Sequence, residues 1–222
     1  IIICLCSYKE NLDQYIRLQQ AEMPMVFYDR IPYGMNVSQV IVDDYIKAFF
    51  LVEHLIREGY RHIVHLQGPD DVYNSVERAR GYKDALVKFN IPFDKDRMLK
   101  AGLTFKDGAN AADMLIEKGV SFDAIFAFTD TLAIGAMNRL RDLGKKIPEE
   151  IAIASFSGTV LSTIVYPQLT TVEPPLQQMG KVVAELIIEK IKEPLSPNRS
   201  IVLDAEIKLR ASSKKEKDSK GK

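Results

Sequence analysis

The chain has 222 residues, 46% of them apolar and 27% charged, with 30 basic against 30 acidic side chains and so no net charge. That length exceeds one small compact unit and fits two lobes of roughly 100 residues each. Neutrality excludes a global electrostatic attraction to nucleic acid, and no apolar run reaches the 18 residues of a membrane helix.

Ile1 to Cys6 is a continuous apolar run and predicts a strand covered on both faces. It has no initiator Met, charged start or cleavage site, so the sequence is expected to be a piece of a longer chain. Cys4 and Cys6 share one strand face, where they cannot pair with each other, and free thiols suit a reducing compartment. A helix over about Asn11 to Ala21 follows, then a strand Met25 to Tyr28 ending at Asp29-Arg30. Val40 to Val42 ends at Asp43-Asp44 and opens a helix reaching Glu58, with Gly59 as its stop. Strand His62 to Leu66, helix Ser75 to Phe89, a short strand near Met98 to Ala101 and helix Lys106 to Glu117 continue the alternation.

Phe122 to Gly158 is the clearest unit. An apolar strand, Ala124 to Phe128, stops at Thr129-Asp130, both good N-caps, and a helix carries Leu132, Ile134, Ala136, Met137 and Leu140 to Gly144. A second strand, Ile151 to Phe156, completes a βαβ unit. Beyond it come strand Leu169 to Val172, a helix from Pro174-Pro175 to about Ile191, and a last strand Ile201 to Leu209. The basic tail Ser212 to Lys222 is too polar to fold and is expected to be disordered. The alternation gives an α/β fold with parallel sheets.

Catalytic signatures are missing: no Walker loop, G-x-G-x-x-G, H-E-x-x-H or G-x-S-x-G is present, and His54, His62 and His65 have no metal-ligand spacing. The sequence therefore predicts no catalytic residue, no metal and no cofactor. What it offers is polar groups at strand ends, where parallel sheets bind ligands: Asp29, Asp43-Asp44, Thr129-Asp130 and Ser157, with Arg78 on a helix after a strand. Asp130 and Asp44 are expected to cap helices. Asp29 and Arg78 lie outside capping positions and suit a ligand rich in hydroxyls.

VFYDR, VIVDD, EHLIREGYRHIVHLQGP, ERARGYKDAL, IFAFTDTLAIGAMNRLRDLGKKIPEEIAIASF and YPQLTTVEPPLQQMGKVVAELIIEKI follow one another in an order that resembles the lactose-repressor family of transcription regulators, over nearly all of residues 1 to 211. The resemblance implies a periplasmic-binding-protein-like core of two Rossmann-like lobes joined by three crossings, near Val42 to Asp44, Val172 to Pro174 and the approach to Ile201. It implies a partial N-terminal lobe from residues 1–42 and 174–199, a C-terminal lobe from 43–173 and 200–211, and the tail 212–222. It carries effector contacts onto Asp29, Val42, Asn74, Arg78, Thr129, Ser157 and Pro174, of which Asp29 and Arg78 keep the family's residue types. Thr129, Ser157-Gly158 and Pro174 depart from them. Ile134, Met137, Ile164 and Val165 are carried onto a homodimer interface. The implied function is a cytoplasmic, non-enzymatic sensor domain of a repressor that binds a sugar-like effector and meets operator DNA only through a headpiece absent from these residues. A solute-binding protein of a sugar transport system is the alternative.

Overall fold

The structure, a computed structural model, describes residues 1–5, 11–32 and 35–215. Two sheets organise it. The first has four parallel strands, β1 (Ile2–Ile3), β2 (Val26–Tyr28), β3 (Ser38–Val42) and β9 (Ser200–Leu203), in that spatial order. The second has six, in the order β10 (Glu206–Lys208), β8 (Thr170–Glu173), β7 (Ala152–Phe156), β6 (Ala124–Ala127), β4 (Ile63–Gln67) and β5 (Met98–Lys100). Only β10 runs antiparallel to its neighbour. This is the α/β, two-lobed arrangement that the alternation of strands and helices predicts.

Helices cover the sheets because the central strands are apolar on both faces. α2 (Asp44–Arg57) and α3 (Tyr73–Lys88) pack on one face of the second sheet, α4 (Phe105–Glu117) and α5 (Asp130–Asp142) on the other. Gly81 lets α3 approach α2 closely, since a Cβ there would stand 2.4 Å from the Tyr45 carbonyl oxygen. In the first sheet, α7 (Leu176–Lys192) packs on β2 and β3. α1 (Leu12–Gln20) lies on the opposite side, with Tyr15 edge-on to Phe27 at 5.5 Å. One apolar cluster runs without a break from Val183 and Leu186 of α7 through Val42 to Leu51 and Leu55 of α2, joining the lobes at their base.

Four expectations need correction. Ile201 to Leu209 is two strands, not one. Ser200–Leu203 pairs with β3 in the first sheet, so the third crossing is Asp204-Ala205 and the N-terminal lobe extends to Leu203 instead of 199. Lys47 pairs with the exposed Asp204 at 2.7 Å, so that crossing lies beside the first one. The strand at Ile1 is only two residues long and lies at a sheet edge, so Ile1 and Ile2 stay half exposed. The tail does not begin at Ser212. Ala211–Ser213 forms a 3₁₀ turn with both serines fully buried, because Ser212 Oγ accepts from Thr170 N (2.8 Å) and donates to the Ile153 carbonyl. Finally, Ile134 and Met137 of α5 lie inside the C-terminal lobe's own core. α5 turns its apolar stripe to the sheet, which leaves nothing of Met137 for a partner. Cys6 and residues 216–222 lie outside the described residues. Cys4 is a free thiol.

Candidate functional site

The carboxyl ends of β2, β6, β7 and β8 converge on a cleft of about 360 Å³ between the lobes. Tyr28, Asp29 and Arg30 line it from the first lobe, Asn74 and Arg78 from α3, Phe128, Thr129 and Ser157 from the loops after β6 and β7, and Thr131 from the first turn of α5. Leu103, Pro174, Leu176 and Met179 complete the wall. Six of the seven sequence-expected contacts therefore meet in one place. Val42 does not: it is buried in the core below the cleft, because its strand still has helices on both faces at that point. A wider groove, about 600 Å³ between β5 and α4, lies along the outer sheet edge away from the strand ends.

Two of the four non-glycine residues with positive φ among the described residues lie at the rim. Asp29 has φ 55° and Ser157 φ 136°, conformations that cost a side-chain-bearing residue on the order of 1–3 kcal/mol each. Gly158, at φ 61°, must be glycine: a Cβ would sit 2.6 Å from Glu173 Cα.

Arg78 is the fixed point of the site. Its Nε donates to Asp44 Oδ1 (2.8 Å), its Nη2 pairs with the same oxygen (2.7 Å), and its Nη1 donates to the Phe128 carbonyl (2.7 Å). The guanidinium also lies over the Phe156 ring at 3.6 Å and the Phe128 ring at 4.6 Å. Such a packed, doubly held arginine cannot swing out to solvent. Asp44 is equally buried, and burial pushes its carboxyl up to about 6 against the pull of the Arg78 charge and hydrogen bonds, with Asp29 and Asp43 pushing further up.

One turn before Arg78 on α3, Asn74 is almost wholly buried and its Oδ1 has no hydrogen-bond partner. Thr129 caps α5 through its Oγ1 (3.4 Å from Leu132 N). Thr131 Oγ1 gives its hydrogen to the Leu103 carbonyl, so the 2.9 Å contact between the two threonines uses the Thr129 hydrogen. What Thr129 has left for the cleft is an acceptor.

Neither aspartate expected to cap does so. Thr129 and Asp43 take the two N-caps, the latter by accepting from Ile46 N at 2.9 Å. Asp130 instead accepts four hydrogen bonds of 2.6–2.8 Å, from Ser155 Oγ, Thr171 Oγ1, Thr159 N and Thr159 Oγ1. It is saturated and fully buried, and it anchors the loop that carries Ser157. The partners of Asp130 and Asp44 lie 25 to 41 residues away in sequence, which no local pattern reveals. Among the described residues no group of three His, Cys, Asp or Glu side chains converges as a metal site requires.

The family model described as a periplasmic binding protein-like domain matches residues 52–213. The chain belongs to the periplasmic binding protein-like domain family. Within it, the chain is 31% identical over 218 residues to the HTH-type transcriptional repressor PurR of Vibrio atlanticus, a match that covers 96% of this chain and 64% of that protein. Its fold superposes on the transcription regulator CcpA of Lactococcus lactis with a TM-score of 0.89 at 28% identity, over 96% of this chain and 78% of that one. A complex of the transcriptional regulator CelR with cellobiose superposes with a TM-score of 0.88 at 27% identity, over 95% of this chain and 64% of the other. These are regulators of the lactose-repressor type, as the motif order implies. The periplasmic binding protein-like chain described here thus spans less than two thirds of the length of its curated relative.

Proposed function

We propose that these residues form the effector-sensing core of a transcription regulator, which takes a small polyhydroxylated molecule, a sugar or sugar derivative, into the cleft between its lobes. The observation that carries this reading is the hydrogen-bond inventory of the cleft. Arg78 retains two unused N–H donors, while Asn74 Oδ1, Thr129 Oγ1 and the half-exposed Asp29 carboxylate are acceptors. A hydroxyl both donates and accepts, so a polyol satisfies both kinds of group at once. Tyr28, Phe128, Leu176 and Met179 supply an apolar wall for its C–H faces.

The core works as a homodimer in the cytoplasm, reaches operator DNA through a headpiece outside these residues, and catalyses nothing. Effector binding favours one inter-lobe geometry, and the dimer transmits it. No helix among the described residues is long and apolar enough to cross a membrane. Thermal-shift screening of the chain against monosaccharides, disaccharides and purine bases tests the ligand class. A sugar at a hundredfold excess over its Kd raises stability by about 2.7 kcal/mol. Arg78→Ala weakens binding and reduces that shift, and a shift that survives the substitution undiminished overturns the site.

A further inference from the structure

Arg78 is presented to the cleft by a residue that never enters it. The guanidinium has five N–H groups. Nε and Nη2 face Asp44, and Nη1 uses one hydrogen on the Phe128 carbonyl. What remains is one hydrogen on each Nη, two donors available to oxygens of a ligand. Asp44 itself does not line the cleft. It is the first residue of α2, two positions past the end of β3, and so belongs to the first crossing between the lobes. Asp43 beside it caps the helix and leaves Asp44 free to turn inward. Lys47, one turn further along α2, pairs with the exposed Asp204 of the third crossing at 2.7 Å.

We propose that Asp44 is the positioning residue of the effector site: from the first crossing it clamps Nε and Nη2 of Arg78, so that the guanidinium is held where its two unused N–H groups serve the cleft it lines and contact with the effector is tied to the geometry of the hinge. The inference rests on reading the cleft as a sugar site, but its core, the clamp, is separable from that reading. Asp44→Asn keeps the size of the side chain and removes the charge. Without it, Arg78 has only neutral acceptors and is free to rotate about its last torsions.

The test is a double-mutant cycle in the full chain, with cellobiose and D-ribose as probes in calorimetry. Asp44→Asn weakens sugar binding roughly tenfold or more, the scale of a lost charge-assisted hydrogen bond. In an Arg78→Ala background the same substitution changes the Kd by less than about twofold, because Asp44 acts only through Arg78. An equal loss in both backgrounds, or no loss in the first, overturns the proposal. A second measurement needs no variant to fold and no sugar to bind. In the wild-type protein the Arg78 Nε–H gives a ¹⁵N-resolved signal protected from solvent exchange, and an Nε–H exchanging at the rate of an exposed arginine refutes the clamp. Where one of the sugars binds, it shifts the Nη signals and leaves Nε in place. Failure of both sugars to bind while Nε–H stays protected refutes the choice of ligand class and upholds the clamp.

Discussion

His65 lies mid-way along β4, one strand in from the edge of the second sheet, stacked on Phe126 at 4.6 Å and against Tyr82 at 5.3 Å, with Nδ1 at 3.0 Å from the Phe126 carbonyl and Nε2 unpartnered. Burial pushes its imidazole down to about 4 from 6.5. A base depressed on folding is neutral in the native state while the unfolded chain still binds a proton. Its contribution is therefore fully present above pH 6.5 and is lost as pH falls toward 4, on the order of 3 kcal/mol in all. Asp44 works in the opposite sense. Its raised carboxyl holds a proton longer in the folded state, so its contribution is present below its ordinary value of 3.8 and is lost as pH rises through about 6. Comparing urea unfolding at pH 7 and pH 4.5 in wild type and His65→Phe isolates the histidine, because every other group cancels. The variant loses less stability than wild type over that interval, and equal losses refute the assignment. Ser157 gives a second prediction of residue scale. Ser157→Gly relieves the strain at φ 136° and raises stability by about 1 kcal/mol, while it deletes a cleft hydroxyl and weakens effector binding. A melting temperature that does not rise counts against strain at this position.

At the scale of elements, the turn after Arg210 is the part least suggested by its own composition. Ser212 and Ser213 open a lysine-rich stretch, yet both lie at zero exposure under β7 and β8, with Ser213 Oγ at 2.7 Å from Thr170 Oγ1 and 2.9 Å from His54 Nε2. Ser212→Ala strands Thr170 N and the Ile153 carbonyl, both buried, and costs about 2 kcal/mol in denaturant unfolding. A loss below about 0.5 kcal/mol, ordinary for an exposed serine, restores the picture of a free tail. The contrast explains what a sequence reveals here. Strand ends at Asp29, Thr129 and Ser157 were legible because an apolar run must stop somewhere, and capping and turn residues mark the stop within two or three positions. The split of Ile201 to Leu209 was not, because a two-residue change of sheet at Asp204-Ala205 leaves the apolar alternation intact. The roles of Asp44 and Asp130 were not legible either. Their chemistry is local, but Arg78, Ser155, Thr159 and Thr171 reach them only through the tertiary fold.

For the whole molecule, the question is how a ligand between the lobes is felt by a second copy. Since α5 buries Ile134 and Met137, the most exposed apolar side chains near this stretch are Val160, Ile164 and Tyr166, each at least 70% exposed around α6 (Leu161–Ile164), with Val165 half-buried between them. Their loop is not loose. Asp130 clasps Thr159, Arg141 donates to the Tyr166 carbonyl, and Arg210 joins Ser162 to Glu173 at the end of β8. The same loop begins at Ser157 in the cleft and Glu173 precedes Pro174 there, so both ends of this patch connect to the proposed effector site. As the proposed dimer contact, three large apolar side chains on this loop would form its centre rather than all of it, since a stable dimer buries about 800 Å² on each partner. Val160→Glu with Ile164→Glu places four like charges across such an axis and converts the dimer to a monomer in sedimentation equilibrium. The double variant still unfolds cooperatively, because both side chains are exposed on the single chain, and its melting temperature falls only by what the dimer contributes. If the wild-type chain sediments as a monomer, or the double variant as a dimer, the contact lies elsewhere. If the dimer is lost while cellobiose or D-ribose binds each chain with unchanged affinity, the loop joins two surfaces without coupling them, because by linkage a ligand that biases the dimer must itself be biased by it.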